Sequence, residues 1–100
     1  MEYRIIITSK ARSEIENIFD YIASELKNKN AAIRLKNKIK KNIRSLKKMP
    51  QRFAEIEKKN NLNNIYRRIV VDNYVILYTV NEKEKLVYIA HIYYGKTDYL

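Results

Sequence analysis

Apolar residues along the chain change period twice, and each change marks an element. Residues 2–8, EYRIIIT, form a short β-branched run that ends at Thr8-Ser9, two residues suited to a helix N-cap. This predicts a first strand feeding a first helix. From Lys10 to Leu26 the positions Ala11, Ile15, Ile18, Phe19, Ile22 and Leu26 recur at spacings of three and four, the signature of an amphipathic helix. Lys27-Asn28-Lys29-Asn30 breaks the pattern, and Asn30 is the expected N-cap of a second helix with the stripe Ala32, Leu35, Ile39, Ile43 and Leu46. Pro50 closes it. A joint this short favours an antiparallel hairpin with both stripes facing one neighbour.

The period then shortens to that of strands. YRRIVV, YVILYTV and LVYIAHIYY follow one another, separated by Asp72-Asn73 and by Asn81-Glu82-Lys83-Glu84-Lys85, which read as two hairpin turns. In the middle run, Tyr74, Ile76, Tyr78 and Val80 alternate with Val75, Leu77 and Thr79, so the first set is expected against the helices and the second on the opposite face. Residues 49–64 carry no clear period and read as a connector anchored by Phe53 and Ile56. The expected fold is a two-layer α+β domain, with an N-terminal strand, an antiparallel helical hairpin and a three-stranded antiparallel meander, in the order β-α-α-β-β-β. One hundred residues, 46% of them apolar, suffice for one such core, so residues 1–100 are expected to form a single domain.

Charge narrows the partners. With 21 Lys and Arg against 11 Asp and Glu the formal charge is +10, which favours nucleic acid or an acidic protein. From Lys27 to Lys48 there are ten Lys or Arg and no acid. Arg34, Lys38, Lys41, Arg44 and Lys48 lie opposite the apolar stripe of the second helix, where they form either a solvated face, a phosphate-backbone track or a landing surface for an acidic segment. Aromatics are sparse there, which argues against stacking of a single strand. Cysteine is absent, no apolar run approaches the roughly 18 residues of a membrane span, and Met1-Glu2 leads into YRIII without a signal-peptide pattern. These features predict a cytoplasmic protein. One histidine, no cysteine and a single glycine leave no expected metal, cofactor or phosphate-loop site.

Arg67, Arg68, His91, Tyr93, Tyr94 and Lys96 sit on or just beyond the strand block. Metal-free cleavage of RNA needs a group to take the 2′-hydroxyl proton, a group to protonate the leaving oxygen, and cations for the phosphate, and these residue types can fill those roles. A lone histidine on a strand and an aromatic strand end also have ordinary structural explanations.

The order of elements, FDYIASELKNKNAAIRLKNKIKKNIRSLKKMPQRF, YRRIVVDNYVILYTV and the closing IAHIYYGKTD together resemble the RelE/ParE superfamily of bacterial toxins over nearly the whole chain. The resemblance implies the toxin half of a type II toxin–antitoxin module, a plasmid-stabilisation type of protein inhibiting growth and neutralised by a cognate antitoxin, as a dimer or a hetero-oligomer with it. Members similar to RelE cut messenger RNA on the ribosome, whereas members similar to ParE block DNA gyrase. In the nucleases an arginine commonly follows the residue that opens the middle strand, and here that place is held by Val75. The ending Tyr94-Gly95-Lys96-Thr97-Asp98 is nearer to the His-Gly-Arg-Arg-Asp type found among ParE-like members. The leading expectation is therefore a toxin that binds gyrase. On this reading Val75 and Leu77, on an apolar face awaiting a cover, and Arg34, Lys38, Lys41 and Arg44 contact the antitoxin or target, unless the connector 49–64 or the C-terminal Tyr99-Leu100 folds over Val75 and Leu77. The alternative is a ribosome-dependent endoribonuclease, with Arg67 or Arg68 on the phosphate, Lys96 contributing charge, and Tyr94, His91 or Glu55 handling protons. A small basic nucleic-acid-binding domain is the third reading.

Overall fold

A computed structural model describes residues 2–59 and 64–95. Strand β1 (Arg4–Ile7) leads into helix α1 (Ser9–Asp20), whose N-cap Thr8 accepts the Ala11 N–H at 3.2 Å and donates its hydroxyl to the Ile89 carbonyl at 2.9 Å. The cap thus fixes the start of the helix to the sheet. Helix α2 (Lys29–Ser45) follows, then β2 (Glu55–Lys59), β3 (Ile65–Val71), β4 (Tyr74–Asn81) and β5 (Leu86–Tyr94). The sheet order is β1-β5-β4-β3-β2, with β1 parallel to β5 and the other pairs antiparallel. The fold is the expected two-layer α+β arrangement with one added edge strand.

Three boundaries differ from the sequence reading. The connector is not wholly irregular: Glu55–Lys59 pairs with β3 as an edge strand. Its sequence, EIEKK, has one apolar residue, and an edge strand exposed to water needs no more. The second helix starts earlier, because Asn28 rather than Asn30 caps it, accepting the Ala31 N–H at 3.0 Å. The first helical segment does not keep one period: Tyr21–Glu25 forms a π-turn, closed by the Leu26 N–H donating to the Tyr21 carbonyl at 3.2 Å. That wider turn shifts the phase of the stripe, so Ile22 is buried while Leu26 emerges 57% exposed.

The core forms where the stripes meet the sheet. Ala32, Leu35, Ile39, Ile43 and Leu46 of α2 and its C-terminal turn are all buried, as are Ala11 and Ile22, against Ile69, Val71, Ile76, Tyr78, Val87, Ile89 and Ile92. Tyr74 and Val80 pack at the margin of the same cluster, so the expected helix-facing side of β4 holds. Tyr78 lies at the centre, with its hydroxyl donating to the Pro50 carbonyl at 2.6 Å. This bond pins the chain leaving α2 to the middle of the sheet.

Candidate functional site

Register across the sheet determines which candidate residues can act together. In YRRIVV, alternation puts adjacent arginines on opposite faces. Arg67 pairs with Tyr78 on the helix side, and its Nη1 donates to the carbonyls of Gln51 at 3.0 Å and Phe53 at 2.7 Å while Nη2 meets Glu55 at 3.2 Å. Its side chain is only 18% exposed. This guanidinium clamps the segment between α2 and β2, and Glu55 completes the clamp.

Arg68 lies on the other face, exposed and in register with Leu77, which is in turn in register with His91. Two strand spacings, about 9–10 Å, therefore separate the backbones of Arg68 and His91. A register shift between Leu77 and Tyr78 leaves one extra residue in β5 at Ala90, and beyond Ile89 the edge of β5 is no longer paired with β1. Glu14 of α1 serves that edge. Its Oε1 accepts the Ile92 N–H at 3.0 Å and lies 3.6 Å from His91 Nδ1.

Burial, the largest influence, lowers the His91 pKa below its usual value; Glu14 opposes this and Lys10 adds to it. The sign of the linkage follows. The unfolded chain binds a proton at His91 near pH 6.5 while the folded one resists it, so the His91 contribution is fully present above about pH 6.5 and is lost as pH falls through the folded value. Urea midpoints measured from pH 7.5 to 4.5 are expected to fall in acid, and to fall less for His91→Gln; equal acid slopes for both proteins would contradict this environment for the imidazole.

Tyr94 is elsewhere. Its ring meets Tyr74 edge to face at a centroid distance of 5.8 Å, at the rim of an apolar hollow of about 700 Å³ shared with Tyr21, Ile18 and Leu26. Gly95, next in the chain, donates its N–H to the Asn73 carbonyl at 2.7 Å, and a Cβ there would stand 3.1 Å from the same oxygen. Lys96 falls outside the described residues. Among the described residues the cleavage set is dispersed: Arg67 is held within the fold, Tyr94 is at the hairpin end, and Arg68 and His91 stand on the strands either side of Leu77.

Burial at Val75 and Leu77 favours the alternative in which the chain covers them. They lie on the face away from the helices but are only 8% and 0% exposed, and Thr79 beside them is 1% exposed. The chain itself covers this row, so it is not an open apolar face awaiting a partner.

A groove that the sequence reading did not single out opens between the two helices. Ile15 and Phe19 of α1 and Ile39 and Ile43 of α2 line it, in a volume of about 290 Å³. Arg12, Lys36 and Lys40 stand on its rim with Glu16 as the acid, and Lys36 Nζ sits 5.7 Å from the centre of the Phe19 ring. The stripes of the two helices were its only signal in sequence, with Ile15 and Phe19 half-buried and Ile39 and Ile43 buried beneath them. Arg34, Lys41 and Arg44 are exposed on α2, and Lys38 pairs with Asp72 at 3.0 Å across an exposed bridge. Among the described residues no group of three His, Asp or Glu is placed to hold a metal ion, and no helix is long and apolar enough to cross a membrane.

The same fold occurs in chains of solved toxin–antitoxin systems. The chain is similar to a protein of the chromosomal ParDE system from P. aeruginosa, with a TM-score of 0.73 at 16% identity over 94% of this chain and 97% of that one. It is also similar to a chain of the archaeal RelE–RelB complex from Pyrococcus horikoshii OT3, with a TM-score of 0.67 at 17% identity over 96% and 98% of the two chains. A chain of the RelBE2 toxin–antitoxin complex from Mycobacterium tuberculosis gives a TM-score of 0.58 at 15% identity over 94% and 99%. A search of curated proteins finds no match. The model of the ParE toxin of the type II toxin–antitoxin system parDE matches residues 5–99, and the chain belongs to that family.

Proposed function

We propose that this protein acts as a toxin by binding DNA gyrase and that a cognate antitoxin holds it inactive. The observation that carries the choice of target is the dispersal of the nuclease candidates among the described residues. Metal-free RNA cleavage requires proton-transfer groups and cations converging within hydrogen-bond reach of one phosphate. Arg67 is committed to the Gln51 and Phe53 carbonyls, Tyr94 stands at the hairpin end, and Leu77 separates the strands bearing Arg68 and His91. Val75, a neutral side chain, occupies the place where the nuclease members commonly carry an arginine.

The groove between α1 and α2 suits the antitoxin. An apolar floor with three cations and one acid on its rim matches an amphipathic helix whose polar face is acidic, with the floor supplying affinity and the rim supplying steering and register. The similarity to chains solved as parts of toxin–antitoxin complexes supports such a partner.

Purified protein added to gyrase and relaxed plasmid is expected to block supercoiling or trap cleaved DNA, and to leave messenger RNA intact on programmed ribosomes. Cleaved message with unimpaired supercoiling would replace this reading with the ribonuclease one.

A further inference from the structure

The outermost line of α2 has a composition that neither the core nor the groove explains. Between Arg34 and Lys48 every exposed position is Lys or Arg except Asn37. Arg34, Asn37, Lys41 and Arg44 recur at spacings of three, four and three, and Lys48 continues the series in the turn after the helix. At 100° per residue these positions centre directly opposite the buried stripe of Leu35, Ile39, Ile43 and Leu46. The row from Arg34 to Arg44 is straight and about 15 Å long, with neighbouring side chains roughly 5–6 Å apart. Among the described residues Arg34, Lys41, Arg44, Lys47 and Lys48 enter no ion pair. At the C-terminal end of the row, Arg44, Lys47, Lys48 and Arg52 converge on a shallow hollow with Glu2 as its acid, and Arg52 is steadied against the Phe53 ring at 4.7 Å.

We propose that this face binds the phosphate backbone of duplex DNA without reading its sequence. A protein partner would need an apolar, charge-depleted centre, and the row has none between Arg34 and Lys48. Interfaces with nucleic acid are polar and strongly positive, which is the composition here. The exposed face between these residues offers no aromatic ring for stacking a single strand. Asn37 is the one uncharged exposed group in the row that can accept from a ribose 2′-hydroxyl, so the attraction comes from phosphates, which duplex DNA presents at one charge per about 1.7 Å of axis. The like charges are tolerated in the free protein because they are solvated and screened. On DNA they displace condensed counterions, and the released ions drive association. This contact does not depend on the identity of the toxin's target.

The test measures fluorescence anisotropy of a labelled 20-base-pair DNA of arbitrary sequence with the full chain, at several salt concentrations. Binding in the range of roughly 1–100 µM at 0.1 M salt is expected, with a slope of log K against log salt of about −3 to −4 from four row cations. The variant Lys41→Gln/Arg44→Gln/Lys48→Gln should bind at least tenfold more weakly with a slope nearer −1. A control with the same loss of charge on other surfaces, Arg4→Gln/Lys59→Gln/Lys83→Gln, should stay within about threefold of the parent. All six side chains are exposed, and circular dichroism checks that each variant is folded. Equal weakening by the two variants, absence of DNA binding by the parent, or preference for single-stranded RNA over the duplex would each overturn the proposal.

Discussion

Tyr78→Ala is expected to lower the free energy of unfolding by about 3–5 kcal/mol, the range for truncating a large ring in a packed interior. Tyr78 is fully buried among Ile76, Ile89 and the residues of α2, and its hydroxyl holds the Pro50 carbonyl at 2.6 Å. Truncation therefore removes both the centre of the core and the tie that brings the chain from α2 back over the sheet. For a domain of this length such a loss corresponds to a fall in Tm of roughly 15–30 °C. Tyr78→Phe separates the two contributions: it keeps the ring and leaves the Pro50 carbonyl without its donor, at a cost of about 1–2 kcal/mol. Burial also pushes the phenol up to about 12. Because the folded pKa exceeds the unfolded value near 10, this contribution is intact below about pH 10 and lost as pH rises through the folded value. Urea unfolding of the parent and both variants measures all of this; a Tyr78→Ala loss under 1 kcal/mol would contradict the central placement of the ring.

Reversing the rim of the interhelical groove should separate neutralisation from toxicity. Arg12→Glu/Lys36→Glu/Lys40→Glu is expected to weaken antitoxin binding by at least about 100-fold, close to 3 kcal/mol, because three attractions to an acidic helix become repulsions. The three side chains are exposed on α1 and α2, so the core beneath them stays packed. Cells producing this variant together with the antitoxin should stop growing while cells producing the parent pair continue. Unchanged affinity, measured by titration calorimetry with the cognate antitoxin, would remove the groove from the antitoxin interface.

Periodic segments were legible because burial imposes their spacing. The α2 stripe, the helix-facing side of β4 and the turn at Asp72-Asn73 all follow from it, and Asp72 takes the left-handed conformation such a tight connection requires, with φ 54°. Strand β2 was not legible, since Glu55–Lys59 gains its pairing from an edge and not from an apolar face. Leu26 was misplaced because a π-turn is a local change of pitch with no composition of its own.

The site was legible only as a set of residue types. Side-chain alternation in YRRIVV separates Arg67 from Arg68, but only the fold reveals that Arg67 spends its donors on the Gln51 and Phe53 carbonyls. Likewise the sequence leaves open whether a partner or the chain covers Val75 and Leu77, and only the fold shows them buried. Family membership rests on the match over residues 5–99, and the dispersal of the cations and proton-transfer groups supports holding a target over cutting one.

Labelled precursors for DNA, RNA and protein, followed in bacterial cells after induction of this chain, test that claim most directly. Gyrase binding predicts that DNA synthesis falls first, accompanied by signs of DNA damage, while messages remain intact. Early arrest of protein synthesis with cut messages would contradict it.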